Sequence, residues 1–441
     1  MAMNKKNLGS TREKIERLFR RTRTKTSDPR LMKDEGITEE VITFAELPEN
    51  VSLADAMKRA SKGSQTKTMK TGDVEFKAID VKIGEVPKLA HGLDRVLFNQ
   101  GVTEVRDSRT RVFNFDPFLD NLIKVKDFDF NTLGTFRSPS KDPVLADIAA
   151  KSGKRYVGST SSMTGMLKHF HYLLSNWREP SLQKIMSREY PLGKSMQFTK
   201  IQQAPDAVFL RWKNGVYAID ADKEHDKPNI LSMLGKYMEK LLTVPKEVFE
   251  KHRVGQSHRL TPAERDVEDQ YHYSSVDDIV VRSQLDTHDP RLPGTGMFDL
   301  KTRAVLPIRM SLQDYEWATD YNIRHLHGEF ESYEREYHDM VRATMLKYSL
   351  QVRLGRMDGI FVAYHNIARV FGFQYIGLDM LDEALHGQKE QAIGDQELVF
   401  SLRMLNEVFD KATKKFPEQV STVPRPRNRL LMPSTVTPSP Y

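Results

Sequence analysis

The stretch DDIVVRSQLDTHDPRLPGTGMFDLKTRAVLP, Asp277 to Pro307, organises the whole chain. Ile279, Val280 and Val281 open a strand that runs to Leu285 and delivers Asp286 at its end. Pro290, Pro293, Gly294 and Gly296 then break the chain, because proline withholds a backbone donor and glycine permits tight geometry. A second strand, Met297 to Leu306, carries Asp299-Leu300-Lys301. Strand side chains alternate, so Asp299 and Lys301 emerge on one face. Paired strands lie roughly 5 Å apart, so pairing of the two would let Asp286 face Asp299. Two carboxylates and an ammonium would then converge, a charge set suited to a divalent cation and a phosphodiester.

The remainder of the chain is long enough to bury a large core: 441 residues, 39% hydrophobic and 9% aromatic. Lys plus Arg number 67 and Asp plus Glu 60, so the net charge is 67 − 60 = +7. That mild basic excess suits a polyanionic partner. The absence of cysteine excludes disulfides, thiolate zinc sites and a cysteine nucleophile. No apolar run approaches the ~20 residues that span a bilayer, which leaves peripheral membrane association open. Met1 to Arg30 lacks a hydrophobic segment, so no secretory signal is expected, and its basic residues match a mitochondrial presequence only fairly.

Five segments are expected. Residues 1–75 form a basic, partly disordered arm, and 76–155 an irregular packing segment. Residues 156–380 hold the α/β core, 381–416 a helical segment, and 417–441 a disordered proline-rich tail. Within the core, Ser159 to Ser162 opens a helix whose apolar stripe runs from Met163 to Trp177. Asn214-Gly215 marks a hairpin between Ala207 and Asp220. Ile230 to His252 is helical, broken near Pro245. Ser311 is expected to cap a helix to Leu326, and a second helix runs from Glu329 to Leu354. On that second helix Gln351 lies one turn beyond Lys347 and Tyr348. Met357 to Tyr364 and Val370 to Leu378 read as strands, and Gln396 to Phe416 as an amphipathic helix.

A lone [DE]-x-K is weak evidence, and it recurs at Glu75-Phe76-Lys77 and Asp80-Val81-Lys82. The copy at Asp299 differs because a strand ending in an acid precedes it and a helix bearing Gln351 follows. This order of elements resembles the PD-(D/E)XK nuclease superfamily. Asp299-Leu300-Lys301-Thr302 is similar to the D-x-K-T of its RecB-like exonucleases, and Tyr348-Ser349-Leu350-Gln351 to their Y-x-x-Q helix. Gly165-Met166-Leu167-Lys168-His169 is similar to their upstream G-x-x-x-H, whose histidine helps bind metal. Gly158 to Leu167, Arg282 to Ala304 and Leu354 to Asn366 resemble the fungal mitochondrial RNA-processing proteins of the Pet family, over about residues 90–410.

The resemblance implies a restriction-endonuclease-like core, a mixed central β-sheet flanked by helices, with helical additions. It implies a mitochondrial location, in the matrix or at the inner membrane, and 5′-to-3′ exoribonuclease activity on single-stranded RNA. The mitochondrial transcription machinery is a further candidate partner. Mg²⁺ or Mn²⁺ would be held by Asp286, Asp299, the Leu300 carbonyl and His169. Asp286, Asp299, Lys301 and Gln351 would form the catalytic set. Two other readings compete: a non-catalytic RNA-binding scaffold that keeps the nuclease fold, and a DNA repair nuclease. On the residues alone, Asp286 and Lys301 could be a structural ion pair, and His169 and His171 packing histidines.

Overall fold

The computed structural model describes residues 70, 74 and 76–417, apart from 135, 192–195, 205, 223–229, 266–268 and 313–314, together with Arg429–Leu431. The arm expected over 1–75 and the tail expected over 417–441 therefore lie, but for a few residues, outside the described residues.

The strands in chain order are β1 (Phe76–Ile79), β2 (Val102–Glu104), β3 (Tyr156–Ser159), β4 (Ala207–Lys213), β5 (Val216–Ala221), β6 (Gln270–Val276), β7 (Ile279–Leu285), β8 (Thr287–His288), β9 (Met297–Ala304), β10 (Gly359–His365), β11 (Val370–Gly377) and β12 (Arg429–Leu431). The helices that matter below are α1 (Pro143–Lys151), α2 (Thr160–Leu174), α3 (Ile230–Thr243), α4 (Tyr333–Met340), α5 (Leu346–Leu354), α6 (Leu378–His386) and α7 (Ala392–Lys415). The described strands form two mixed sheets, ordered β1-β6-β7-β3-β5-β4-β12 and β2-β11-β10-β9-β8. β3 runs parallel to both β5 and β7, and β9 parallel to β10; the other pairs are antiparallel. The fold is thus α/β, with mixed sheets flanked by helices, the expected central sheet being divided in two.

Local sequence explains the main elements. Ser159 caps α2 through a reciprocal capping box with Ser162. Asn214 and Gly215 adopt positive φ of 51° and 85° and close the β4–β5 hairpin. All seven residues of β10 are buried, as an unbroken apolar run between two neighbours requires. Leu145 and Ala149 of α1 pack with Val157, Val216, Ala218, Tyr273 and Val280 of the larger sheet. Each such side chain removed from water stabilises by about 1.5–3 kcal/mol for the larger residues. Helix α5 touches β7 of the larger sheet and β10 of the smaller, and also packs on α2.

Three expectations differ from what is observed. The segment 76–155 is not only irregular, because it supplies α1 and the short strands β1 and β2, too brief to leave a periodic pattern. The helix expected from Ser311 starts earlier, over Leu306–Met310, because Pro307 suits a first helical turn; Ser311 closes that helix, and only a 3₁₀ turn, Tyr315–Asp320, follows. The helix expected over Gln396 to Phe416 begins earlier, at Ala392.

Candidate active site

The hairpin expected between the two strands of Asp277 to Pro307 takes a different form. β7 belongs to the larger sheet and β9 to the smaller, so the chain changes sheets at Asp286. Two residues then pair antiparallel with β9, Thr287 opposite Phe298 and His288 opposite Met297. Extending that register by one residue sets Asp286 opposite Asp299. The intervening turn is tied down from both sides. Asp358 accepts the Thr295 and Gly296 N–H groups at 2.9 and 2.7 Å, and the Asp289 N–H donates to the Gly296 carbonyl at 2.8 Å. Gly296 has φ +79°, and a side chain there would press on the Asp289 carbonyl, so only glycine fits.

Asp286 is half-buried and its Oδ2 accepts the Leu300 N–H at 3.0 Å. Burial first, then the charges of Asp299 and Glu239, hold the Asp286 carboxyl well above the usual carboxylate range. Asp299, 6% exposed, is ion-paired with Lys301. Burial works against the Lys301 charge, but Asp299 and Asp286 outweigh it, so the ammonium titrates above its ordinary value. The Lys301 Nζ also stands 4.9 Å from the centre of the Tyr348 ring.

Tyr348 sits on α5, and Gln351 lies three residues further along the same helix. A π-helical turn, Val341–Met345, joins α4 to α5 and sets the direction in which α5 presents this face. Arg353 anchors α5 from behind. Its guanidinium, 3% exposed, donates to both Asp382 oxygens at 2.7 and 2.6 Å, to Asp395 at 2.9 Å and to the Ser349 hydroxyl at 2.6 Å.

Glu239 on α3 is an acid the sequence reading missed. α3 packs on β9, and burial, then Asp269 and also Asp299, push the Glu239 carboxyl up to about 7. No motif marks it, since it stands in an ordinary amphipathic helix; only the packing of α3 against β9 brings it in. His169 lies elsewhere. Its Nε2 sits 3.0 Å from the Ala204 carbonyl, beside Lys168 and Asp206, where burial lowers its pKa. His171 pairs instead with Glu397 at 2.8 Å. Both rings fill the buried face of α2, so the G-x-x-x-H spacing here places a histidine in packing and not among the acids.

Among the described residues no three His, Asp or Glu side chains already converge as a metal cage. The charge balance nevertheless favours a cation. Asp286 and Asp299 face one ammonium, 1 − 2 = −1 if both ionise, and the raised Asp286 carboxyl, on which Glu239 also acts, registers that repulsion. A hard divalent ion matches such an oxygen-rich, negatively charged corner.

A family model described as mitochondrial protein Pet127 matches residues 136–410. The chain is 44% identical over 319 residues to the putative mitochondrial translation system component PET127 of Saccharomyces cerevisiae, covering 68% of this chain and 38% of that protein. It is 38% identical over 340 residues to the mRNA degradation protein pet127, mitochondrial, of Schizosaccharomyces pombe, covering 76% of this chain and 64% of that protein. The matched region thus spans well under half of one curated relative and just under two thirds of the other. Among solved structures, K. lactis Dxo1 in complex with manganese aligns with a TM-score of 0.36 at 9% identity, over 79% of this chain and 80% of that one. Scheffersomyces stipitis Rai1 in complex with (3′-NADP)⁺ and calcium ion aligns with a TM-score of 0.33 at 10% identity, over 72% and 77%. At these values the likeness is too loose to position residues.

Proposed function

The chain belongs to the Pet127 family of mitochondrial proteins, and from that membership and the buried acid–amine corner we propose that it is a metal-dependent ribonuclease acting on mitochondrial transcripts. The observation that carries this is the meeting of Asp286, Asp299 and Lys301 across the point where the chain changes sheets. The S. pombe relative's name as an mRNA degradation protein supports RNA as the substrate. Exonucleolytic cleavage from the 5′ end is the finer form of the proposal.

Asp286, Asp299 and the Leu300 carbonyl would be the oxygen donors for Mg²⁺ or Mn²⁺, with Glu239 within electrostatic reach of Asp286. Such an ion, when bound, supplies Lewis acidity and positive charge at the phosphoryl group. Lys301 stays protonated between Asp299 and the Tyr348 ring, so its ammonium meets the charge that builds on the phosphoryl oxygens during attack by water. A bound cation would favour the ionised form of Asp286, so its role here is that of a ligand, and the proton that water loses would pass to solvent. Gln351, one turn from Tyr348, would orient the water or the strand.

One observation favours the scaffold reading. The direct Lys301–Asp299 contact is also what a closed structural ion pair looks like. Single-stranded RNA and DNA of one sequence, each blocked at the 5′ or the 3′ end, incubated with Mg²⁺ or with EDTA, separate the readings. The proposal expects RNA loss that needs metal and stops at a 5′ block. RNA that is bound but never shortened would make the chain a scaffold, and equal loss of DNA would make it a general nuclease.

A further inference from the structure

The face of β9 that carries Asp299 and Lys301 continues, two residues on, to Arg303. Arg303 is only 3% exposed, yet neither its Nε nor its Nη2 has a hydrogen-bond partner among the described residues. Glu336 Oε2 stands 3.6 Å from the Arg303 Nε, beyond hydrogen-bond reach. The two Glu336 oxygens are engaged elsewhere, accepting from the Leu306 N–H and from Arg309, each at 2.7 Å. Asp339 is shared by Arg309 at 3.5 Å and Arg335 at 3.8 Å, and it also acts on Arg342. Arg303, Arg309, Arg335 and Arg342 thus gather around Glu336 and Asp339, with Glu329 also acting on Arg335. Burial, then Arg309, pulls Arg303 down to about 10, which leaves it charged at neutral pH. Tyr348 acts on both Lys301 and Arg303, so this basic cluster adjoins the acid–amine corner.

We propose that the cluster around Arg303 is a subsite for the terminal phosphomonoester of the RNA strand, an inference that rests on the ribonuclease reading. Buried guanidinium donors left unpaired need an anion with several acceptor oxygens, and phosphate meets the guanidinium fork. A terminal phosphate carries close to two negative charges at neutral pH and offers three acceptor oxygens to such donors. An internal phosphodiester carries one charge, has two free oxygens and continues on both sides, so it suits a guanidinium only 3% exposed less well than a chain end does.

The test measures binding of three labelled single-stranded RNAs of one sequence to the full chain bearing Asp299→Asn, which prevents turnover, at one fixed salt concentration. One RNA has a 5′-phosphate, one a 3′-phosphate, and one hydroxyls at both ends. The subsite predicts that one phosphorylated RNA binds about tenfold or more tightly than the hydroxyl-ended RNA, the favoured end revealing which terminus is held. Arg303→Lys, which keeps the charge but loses the fork, and Arg342→Ala should each bring that ratio close to one. Should Arg303→Lys fail to fold by thermal melt, Arg342→Ala decides. Equal affinities for all three RNAs overturn the subsite, as does an end preference that survives the substitutions. Wild-type RNA turnover measured in parallel separates the two ideas. Turnover without end preference sinks this inference alone, and end preference without turnover sinks the ribonuclease reading alone.

Discussion

Lys301 is gripped from two directions, by the Asp299 carboxylate and by the face of Tyr348. A ring contributes about 0.5–2 kcal/mol to a neighbouring cation, and that grip keeps the ammonium aimed. Tyr348→Leu should therefore slow RNA cleavage by about 2- to 30-fold through kcat, whereas Tyr348→Phe, which keeps the ring, should stay near the wild-type rate. A large loss in Tyr348→Phe would mean that the phenol itself takes part. The charged groups were legible where a motif framed them: Asp286, Asp299 and Lys301 stand in one short stretch. Glu239 and Arg303 were not, because nothing near them in the chain announces their company. Glu239 reaches the corner through helix packing, and Arg303 meets Arg309, Arg335 and Arg342 only through the fold. His169 shows the converse, a motif matched in letters whose ring is spent on the Ala204 carbonyl.

Helix α5 delivers Tyr348 and Gln351, and its position depends on one buried contact. Arg353 pairs with Asp382, which is fully buried, and with Asp395 and Ser349. Removing the guanidinium leaves the buried Asp382 with only the His386 ring, 3.5 Å away, a loss of about 3–5 kcal/mol. Arg353→Leu should lower the denaturant midpoint accordingly and reduce cleavage as well, since α5 loses its tether. An unchanged midpoint would show that the anchor is dispensable. The strands on either side were readable as apolar runs, β7 and β10 above all. The way they divide between two sheets was not. Only two residues, Thr287 and His288, make the crossing from one sheet to the other, and a strand that short leaves no alternating pattern. The π-helical turn before α5 was equally hidden, because a single wide turn hardly changes the spacing of apolar side chains.

Across the whole molecule, several imidazoles are buried neutral. Burial lowers His386 to about 3 and His365 to about 4, and His169, His252 and His272 are lowered as well. At His386 burial acts first, and Arg178 adds to it, sitting 2.7 Å from an Nδ1 that accepts its N–H. A histidine whose folded pKa lies below its unfolded value contributes stability present above the unfolded pKa, about 6.5, and lost as pH falls toward the folded one. The melting temperature should therefore drop between about pH 6.5 and pH 4, and His386→Gln should lessen the drop. A flat profile across that range would show that these rings titrate normally.

Asp286, Asp299 and Lys301 are proposed to form a working phosphodiesterase site, and everything said of function depends on it. The most direct measurement is the single-turnover rate of single-stranded RNA cleavage with saturating Mg²⁺, for the wild type, Asp299→Asn and Lys301→Ala, with melting temperatures taken on the same samples. The prediction is a wild-type rate abolished by EDTA, and a loss of about 10²-fold or more in each variant with folding and RNA binding retained. Folded variants that cleave RNA at the wild-type rate would contradict it.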